Sequence, residues 1–201
     1  ATMEEMTADQ ATVGIQQAVE AYGPPARRAY SLNVQEETLA YWRGVSRRRK
    51  AEVVLVLRRP SGRYLVHTKA FYPSGVYRLL SGGVKLGEDL TAAVYREAWE
   101  ETGLEIQIER FLGILAHRFI WQGQSVPLTS YVFLVAEVGG TLAVQDVDEA
   151  ITGFREVDLA GLLALAEELE SLSGEWQDWG RFRAIAHRFT VEVLTESNAS
   201  T

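Results

Sequence analysis

The chain is expected to adopt an α/β fold in which helices layer against one mixed β-sheet. Three observations predict it. "AEVVLVL" (51–57) is apolar and largely β-branched throughout, the pattern of a strand covered on both faces. Further strand-like runs follow it, some joined by short turn signals. Segments with helical apolar spacing are interleaved among them.

In chain order, residues 10–22 and 35–46 carry helical apolar spacing, and "GPPARR" between them should break any continuous helix. Residues 1–50 therefore read as an N-terminal extension, helical or irregular, and 51–201 as the main domain. "RRRK" (47–50) is either a solvated lead-in to the first strand or a phosphate contact. "RRPSGRYLVHT" supplies a Pro-Ser-Gly turn and a second strand, hence a hairpin. "VYRLL" is a short strand ending at Ser81-Gly82-Gly83.

A helix is expected to start after Asp89 as N-cap and to stop at Gly103. Two strands follow, 108–121 and 130–138, joined by "QGQSVPL". After the acidic stretch "QDVDEAITGFREV" comes a short helix at 158–170. Trp176, Trp179, Phe182, Ile185, Ala186, Phe189 and Val193 then recur at the spacing of a packed C-terminal helix.

The stretch that calls for explanation is "REAWEETG" (96–103). Helical residues advance by about 100° each, so Glu97, Glu100 and Glu101 fall within an arc of roughly 100°. Like charges at such spacing cost an isolated helix about 0.2–0.5 kcal/mol per pair. Arg96 can brace Glu100 at i+4 but cannot neutralise three acids. A divalent, oxygen-seeking ion can. The competing explanation is a solvated acidic face. Leu90, Ala93 and Val94 lie on the carboxylate side of the helix and Tyr95 and Trp99 opposite, so either side can be the core side.

Composition excludes several classes of function. The net charge of −7, from 27 acidic and 20 basic residues, opposes non-specific binding to nucleic acid or anionic membrane. With no cysteine, disulfides, thiolate metal sites and cysteine nucleophiles are excluded. No basic segment followed by an apolar run opens the chain, and no apolar stretch approaches about 18 residues, so a cytoplasmic protein is expected. Neither a phosphate-cradling G-x-x-x-x-G-K-[ST] loop nor a G-x-S-x-G elbow occurs. His67, His117 and His187 are scattered over different elements and read as structural.

Extended upstream, the acidic stretch becomes "GGVKLGEDLTAAVYREAWEETGL" (82–104). Its skeleton of Gly82, Glu88, Arg96-Glu97, Glu100-Glu101 and Gly103 resembles the signature box of the Nudix hydrolase family. Seven such fixed positions coincide by chance on the order of once in 10⁸ frames. Ala98 stands where a larger aliphatic is usual, and Ser81 where many members carry proline.

The resemblance implies an α/β/α sandwich over roughly residues 50 to 170, with the box as a loop–helix–loop beside the sheet. It further implies hydrolysis by water of a nucleoside diphosphate linked to another moiety, with Mg²⁺ or Mn²⁺. Carried over by position, Glu97, Glu100 and Glu101 would ligate metal with the Gly82 carbonyl. Arg96 would orient glutamate, and Glu88 would support the shell. Related enzymes often take a general base from a later loop, where "DVDEA" offers Glu149, with Asp148 second. Family-like modules that bind ligands or regulate without hydrolysis commonly lose box glutamates, whereas this chain has them all. The isoprenoid isomerases of this fold need a cysteine that is absent here.

For the substrate, Arg78, Lys69, Lys85 and Arg118 are candidate phosphate contacts, and Tyr77, Trp121 and Tyr131 candidate base-stacking rings. Members acting on ADP-ribose often carry a proline about sixteen residues past the box; Ile120 stands there. Tyr22, Tyr30, Leu39, Tyr41 and Trp42 lie outside the main domain and need cover, which suggests a homodimer.

Overall fold

A computed structural model describes residues 12–199. Among them seven strands form one mixed sheet in the order β1-β5-β6-β2-β4-β3-β7. The strands are β1 (Ala26–Asn33), β2 (Ala51–Arg58), β3 (Tyr64–Lys69), β4 (Arg78–Gly83), β5 (Leu104–Trp121), β6 (Gln124–Gly140) and β7 (Ile151–Val157). The α-helices are α1 (Ile15–Tyr22), α2 (Glu36–Ser46), α3 (Leu90–Thr102), α4 (Leu159–Glu170) and α5 (Gln177–Ala199). No helix of the described residues is long and apolar enough to cross a membrane.

The contacts fall into two compact units. Among the described residues, one comprises 12–54 with Ser81–Glu97 and Ile108–Phe133; the other comprises Leu55–Leu80, Ala98–Gln107 and 134–199.

In the first unit, the segment expected to be helical or irregular also contributes β1. That strand runs parallel to β5 in register from Ala26 opposite Gly113 to Asn33 opposite Ile120. Only Leu32 of β1 is buried, so its backbone pairing, not an apolar pattern, holds it. α2 turns Leu39, Trp42 and Val45 inward, and Trp42 stacks on Phe119 with centroids 4.8 Å apart. Tyr30 stacks on His117 at 5.7 Å. The apolar residues expected to need a partner thus find cover within the chain, except Tyr41, which is 60% exposed.

β5 and β6 meet at a two-residue turn, Gln122-Gly123, both with positive φ (45° and 75°), the conformation of a tight hairpin turn. The seven-residue connection expected at 122–128 is therefore mostly strand.

In the second unit, β3 is antiparallel to β4 and β7. The expected β2–β3 hairpin is paired beside its turn, Arg58 opposite Tyr64 with the Arg59 N–H on the Arg63 carbonyl at 2.8 Å, and beyond it β4 lies between the two strands in the sheet. The acidic stretch from 145 to 157 holds a strand, β7, that sequence reading does not anticipate; none of its residues is buried.

Asp158 caps α4 by accepting from the Gly161 N–H at 2.8 Å. Ala166 and Leu169 of α4, Ala184 of α5 and Val76 form a packed cluster with Leu172 and Trp179 against it. The aromatic stripe at 176–193 is thus largely a packing face, as its spacing suggests.

Candidate active site

α3 forms where local rules place it. Asp89 Oδ1 accepts from the N–H groups of Thr91 (3.0 Å) and Ala92 (3.2 Å), satisfying donors that the helix start leaves open. At the other end Gly103 takes φ +66°, and its N–H reaches the Trp99 carbonyl at 2.8 Å. Between these caps the structure decides which face turns inward. Leu90, Ala93, Val94 and Ala98 are wholly buried, while Tyr95 and Trp99 are 43% and 50% exposed. The carboxylates go in with the first set. Glu97 is 4% exposed and Glu101 0%, with Glu100 half-buried. A solvated acidic face is excluded.

In the first unit, these residues interlock with the glycine loop. A Cβ built on Gly82 would meet the Glu97 carboxylate at 1.8 Å, so that carboxylate lies directly against the backbone of Gly82. Arg96 holds the surrounding lattice. Its Nε and Nη2 donate to the two oxygens of Glu88 at 2.7 and 2.9 Å, a bidentate fork. Its Nη1 donates to Glu97 Oε1 at 2.6 Å, and Nη2 also reaches the Gly83 carbonyl at 2.9 Å.

Glu88 in turn accepts from the Lys85 N–H at 2.9 Å. The hydrogen bond from Arg96 holds the Glu88 carboxyl below the usual carboxylate range, and the same bond raises the Arg96 guanidinium. The Arg49 side chain lies over Gly83, where a Cβ would meet its Nη1 at 2.2 Å. "RRRK" therefore borders the box loop; the sequence signal for this was the basic run itself.

In the second unit, Glu101 Oε1 is 3.8 Å from Lys69 Nζ and Oε2 is 3.8 Å from His67 Nδ1. His67 is wholly buried, and neither ring nitrogen has a hydrogen-bond partner among the described residues. Burial, reinforced by the charges of Arg78 and Lys69, pushes its pKa well below the ordinary value and keeps it neutral. Sequence reading took His67 as structural. The pairing of β3 with β7 shifts register between Thr68 and Lys69, so strand alternation does not by itself announce that His67 and Lys69 both face Glu101.

Lys69 Nζ also meets Glu149 Oε2 at 2.6 Å. Glu149 ends a 3₁₀ turn (Val147–Glu149) in which Asp146 accepts from the Asp148 N–H. The N–H groups of Gln145 and Asp146 both reach the Glu100 carbonyl at 3.0 Å, tying this segment to the end of α3.

Other expected site residues are placed differently. Tyr131 is wholly buried, its ring 6.2 Å from Phe111, and cannot offer a face to a base. Arg78 is 5% exposed and donates to Tyr72 Oη and to the Leu79 carbonyl, both at 2.8 Å, so it supports the core and not a surface phosphate site. Tyr77 has the Arg155 guanidinium 4.0 Å over its ring. Lys85 is exposed, and Arg118 and Trp121 are partly exposed.

A buried chain of His117, Ser130 and Glu52 has the serine in the middle, 3.0 Å from His117 Nε2 and donating to Glu52 at 2.8 Å. A serine nucleophile needs the histidine between serine and acid, so this is structural wiring.

Among the described residues no three Asp, Glu or His side chains converge tightly enough to hold an ion as they stand. The donors themselves suit Mg²⁺ or Mn²⁺: hard carboxylate oxygens, and a glycine whose missing side chain leaves room for one of them.

Comparison with known proteins places the chain in a family. The family model described as "NUDIX domain" matches residues 47–188. The chain is 31% identical over 96 residues to the NAD-capped RNA hydrolase NudC of Pasteurella multocida (strain Pm70), covering 47% of this chain and 34% of that protein. It is 39% identical over 54 residues to Nudix hydrolase 19, chloroplastic, of Arabidopsis thaliana, covering 27% of this chain and 12% of that one. The chain thus spans about a third or less of the length of these relatives. Among solved structures, the MutT protein of Methanosarcina mazei Go1 aligns over 72% of this chain and 95% of its own, with 21% identity and a TM-score of 0.47. The family model takes in more than half of the sequence, and the box lies inside it: the chain belongs to the NUDIX domain family.

Proposed function

We propose that this protein is a metal-dependent pyrophosphohydrolase that cleaves a nucleoside diphosphate linked to another moiety by attack of water on phosphorus. The observation that carries the reading is the seating of the Glu97 carboxylate on Gly82. Arg96 reaches one oxygen of Glu97 but is shared with Glu88, so burying this carboxylate beside two more acids on one helix remains costly until a further cation offsets it.

In this reading Glu97, Glu100, Glu101 and the Gly82 carbonyl would hold Mg²⁺ or Mn²⁺. When bound, the ion lowers the pKa of water and offsets phosphate charge. Arg96, locked by Glu88, orients Glu97. Glu149 accepts the proton of the attacking water at its carboxylate, with Asp148 as the neighbouring substitute. Lys85 and Arg118 contact substrate phosphates. Residues 51–201 are the hydrolase domain and 1–50 an extension that lends β1 to the sheet. A homodimer rests on the exposed Tyr41, and light scattering decides it.

The test is a panel of an NAD-type dinucleotide, suggested by the name of the NudC relative, a nucleoside diphosphate sugar and a nucleoside triphosphate. Each is incubated with Mg²⁺ in ¹⁸O-water. Turnover of at least one, abolished by chelator, with ¹⁸O in a product phosphate is expected. Nucleotide binding without turnover of any would make the protein a ligand-binding module instead.

A further inference from the structure

Arg96 and Lys69 each face a buried acid of α3, and they are held differently. Arg96 is fixed by its fork onto Glu88. Lys69 stands at the end of β3, where the pairing with β7 shifts register between Thr68 and Lys69 and where the Ala70 N–H reaches the Ala150 carbonyl at 2.9 Å. That pairing brings the 3₁₀ turn alongside, so one ammonium spans Glu149 at 2.6 Å and Glu101 at 3.8 Å. The Lys69 side chain is 11% exposed, that of Glu149 27% and that of Glu101 0%.

Lys69 brings a positive charge to within 3.8 Å of the buried Glu101 carboxylate. A flexible four-carbon stem ending in a compact ammonium can swing away, which a guanidinium locked in a planar fork cannot.

We propose that Lys69 is a resident counter-cation: it holds Glu149 beside Glu101 and yields Glu101 to an arriving divalent ion, and so sets the metal affinity of the site. The inference rests on the metal-dependent reading above and assigns Lys69 as a positioning residue. It makes the site self-compensating. Without metal the buried carboxylate keeps a partner. With metal the ammonium stays on Glu149 and keeps it at the edge of the site.

The test is Mn²⁺ binding without substrate, by electron paramagnetic resonance of the free ion, in the full chain and in Lys69→Met and Lys69→Arg. Removing the competing charge should tighten Mn²⁺ binding about tenfold in Lys69→Met. Its melting temperature should fall in chelator and rise more with Mn²⁺ than that of the parent. Lys69→Arg, gripping both carboxylates through a planar fork, should bind Mn²⁺ about threefold or more weaker.

Unchanged or weaker Mn²⁺ binding in Lys69→Met overturns the proposal. If that variant does not fold, unchanged or tighter binding in Lys69→Arg overturns it. Tighter Mn²⁺ binding in Lys69→Met while no panel substrate is hydrolysed would sink the hydrolase reading and leave this one standing. Hydrolysis with Mn²⁺ affinity indifferent to residue 69 would do the reverse.

Discussion

Gly82 and Glu97 occupy each other's space: the carboxylate lies where any side chain on residue 82 would begin, 1.8 Å from a built Cβ. Gly82→Ala should therefore displace Glu97 while leaving the sheet formed. A misplacement on the order of 1 Å can cost about 10²-fold in rate, so turnover should fall by about that factor or more, with weaker Mn²⁺ binding. Steady-state kinetics, metal titration and a circular dichroism spectrum on one preparation check this. Normal turnover in the alanine variant would mean that the Glu97 carboxylate does not need its present seat.

Substitution separates the proposed general base from the proposed metal ligands. Glu149→Gln should lower turnover by about 10²–10⁴, the range for losing a general base. Its Mn²⁺ affinity should change far less than that of Glu101→Gln, which should lose metal binding and turnover together. Near-normal turnover in Glu149→Gln would move the role to Asp148 or Glu101.

Arg96 is more than a positive charge. It reaches both oxygens of Glu88, one oxygen of Glu97 and the Gly83 carbonyl. A lysine cannot reproduce that fork, so Arg96→Lys should depress turnover by about tenfold or more although the charge is kept. Equal kcat/KM for the two proteins would reduce Arg96 to a simple countercharge.

His187 makes stability depend on pH. Its Nε2 accepts the Leu79 N–H at 3.0 Å and its Nδ1 faces the Leu162 carbonyl at 3.3 Å, an arrangement that needs the neutral ring. Burial pushes its pKa down from 6.5 to about 4. The folded value is the lower one, so the stabilisation is complete above pH 6.5 and is lost as pH falls towards about 4. Over that window the loss is on the order of 3 kcal/mol.

His67, also lowered, acts with the same sign. Urea unfolding across this window should show a steep fall for the parent chain and a shallower one for His187→Leu. That variant starts less stable by about 1–3 kcal/mol, because the Leu79 N–H loses its acceptor. Parallel slopes would place the titration elsewhere.

Much of α3 was legible because its signals are short-range. A cap at Asp89, a left-handed glycine at 103 and helical spacing between them are properties of neighbouring residues, and the box residues could be named from the same stretch. The unbroken apolar run of β2 and the amphipathic stripe of α5 were readable for the same reason.

What the tertiary structure decided depends on partners distant in the chain. The α3 sequence left both faces eligible for the core, and only packing turned Glu97 and Glu101 inward. Edge strands β1 and β7 have almost no buried side chains. Their identity lies in backbone hydrogen bonds to β5 and β3, which no apolar alternation announces. Tyr131 looked like an available ring until neighbouring strands covered it. Lys69 reads in the sequence as a phosphate contact and Glu149 as a general base, with nothing to link them; the β3–β7 register sets them 2.6 Å apart. Capping, turn chemistry and periodicity are written residue by residue; burial and charge pairing across a sheet exist only once the strands have found their order.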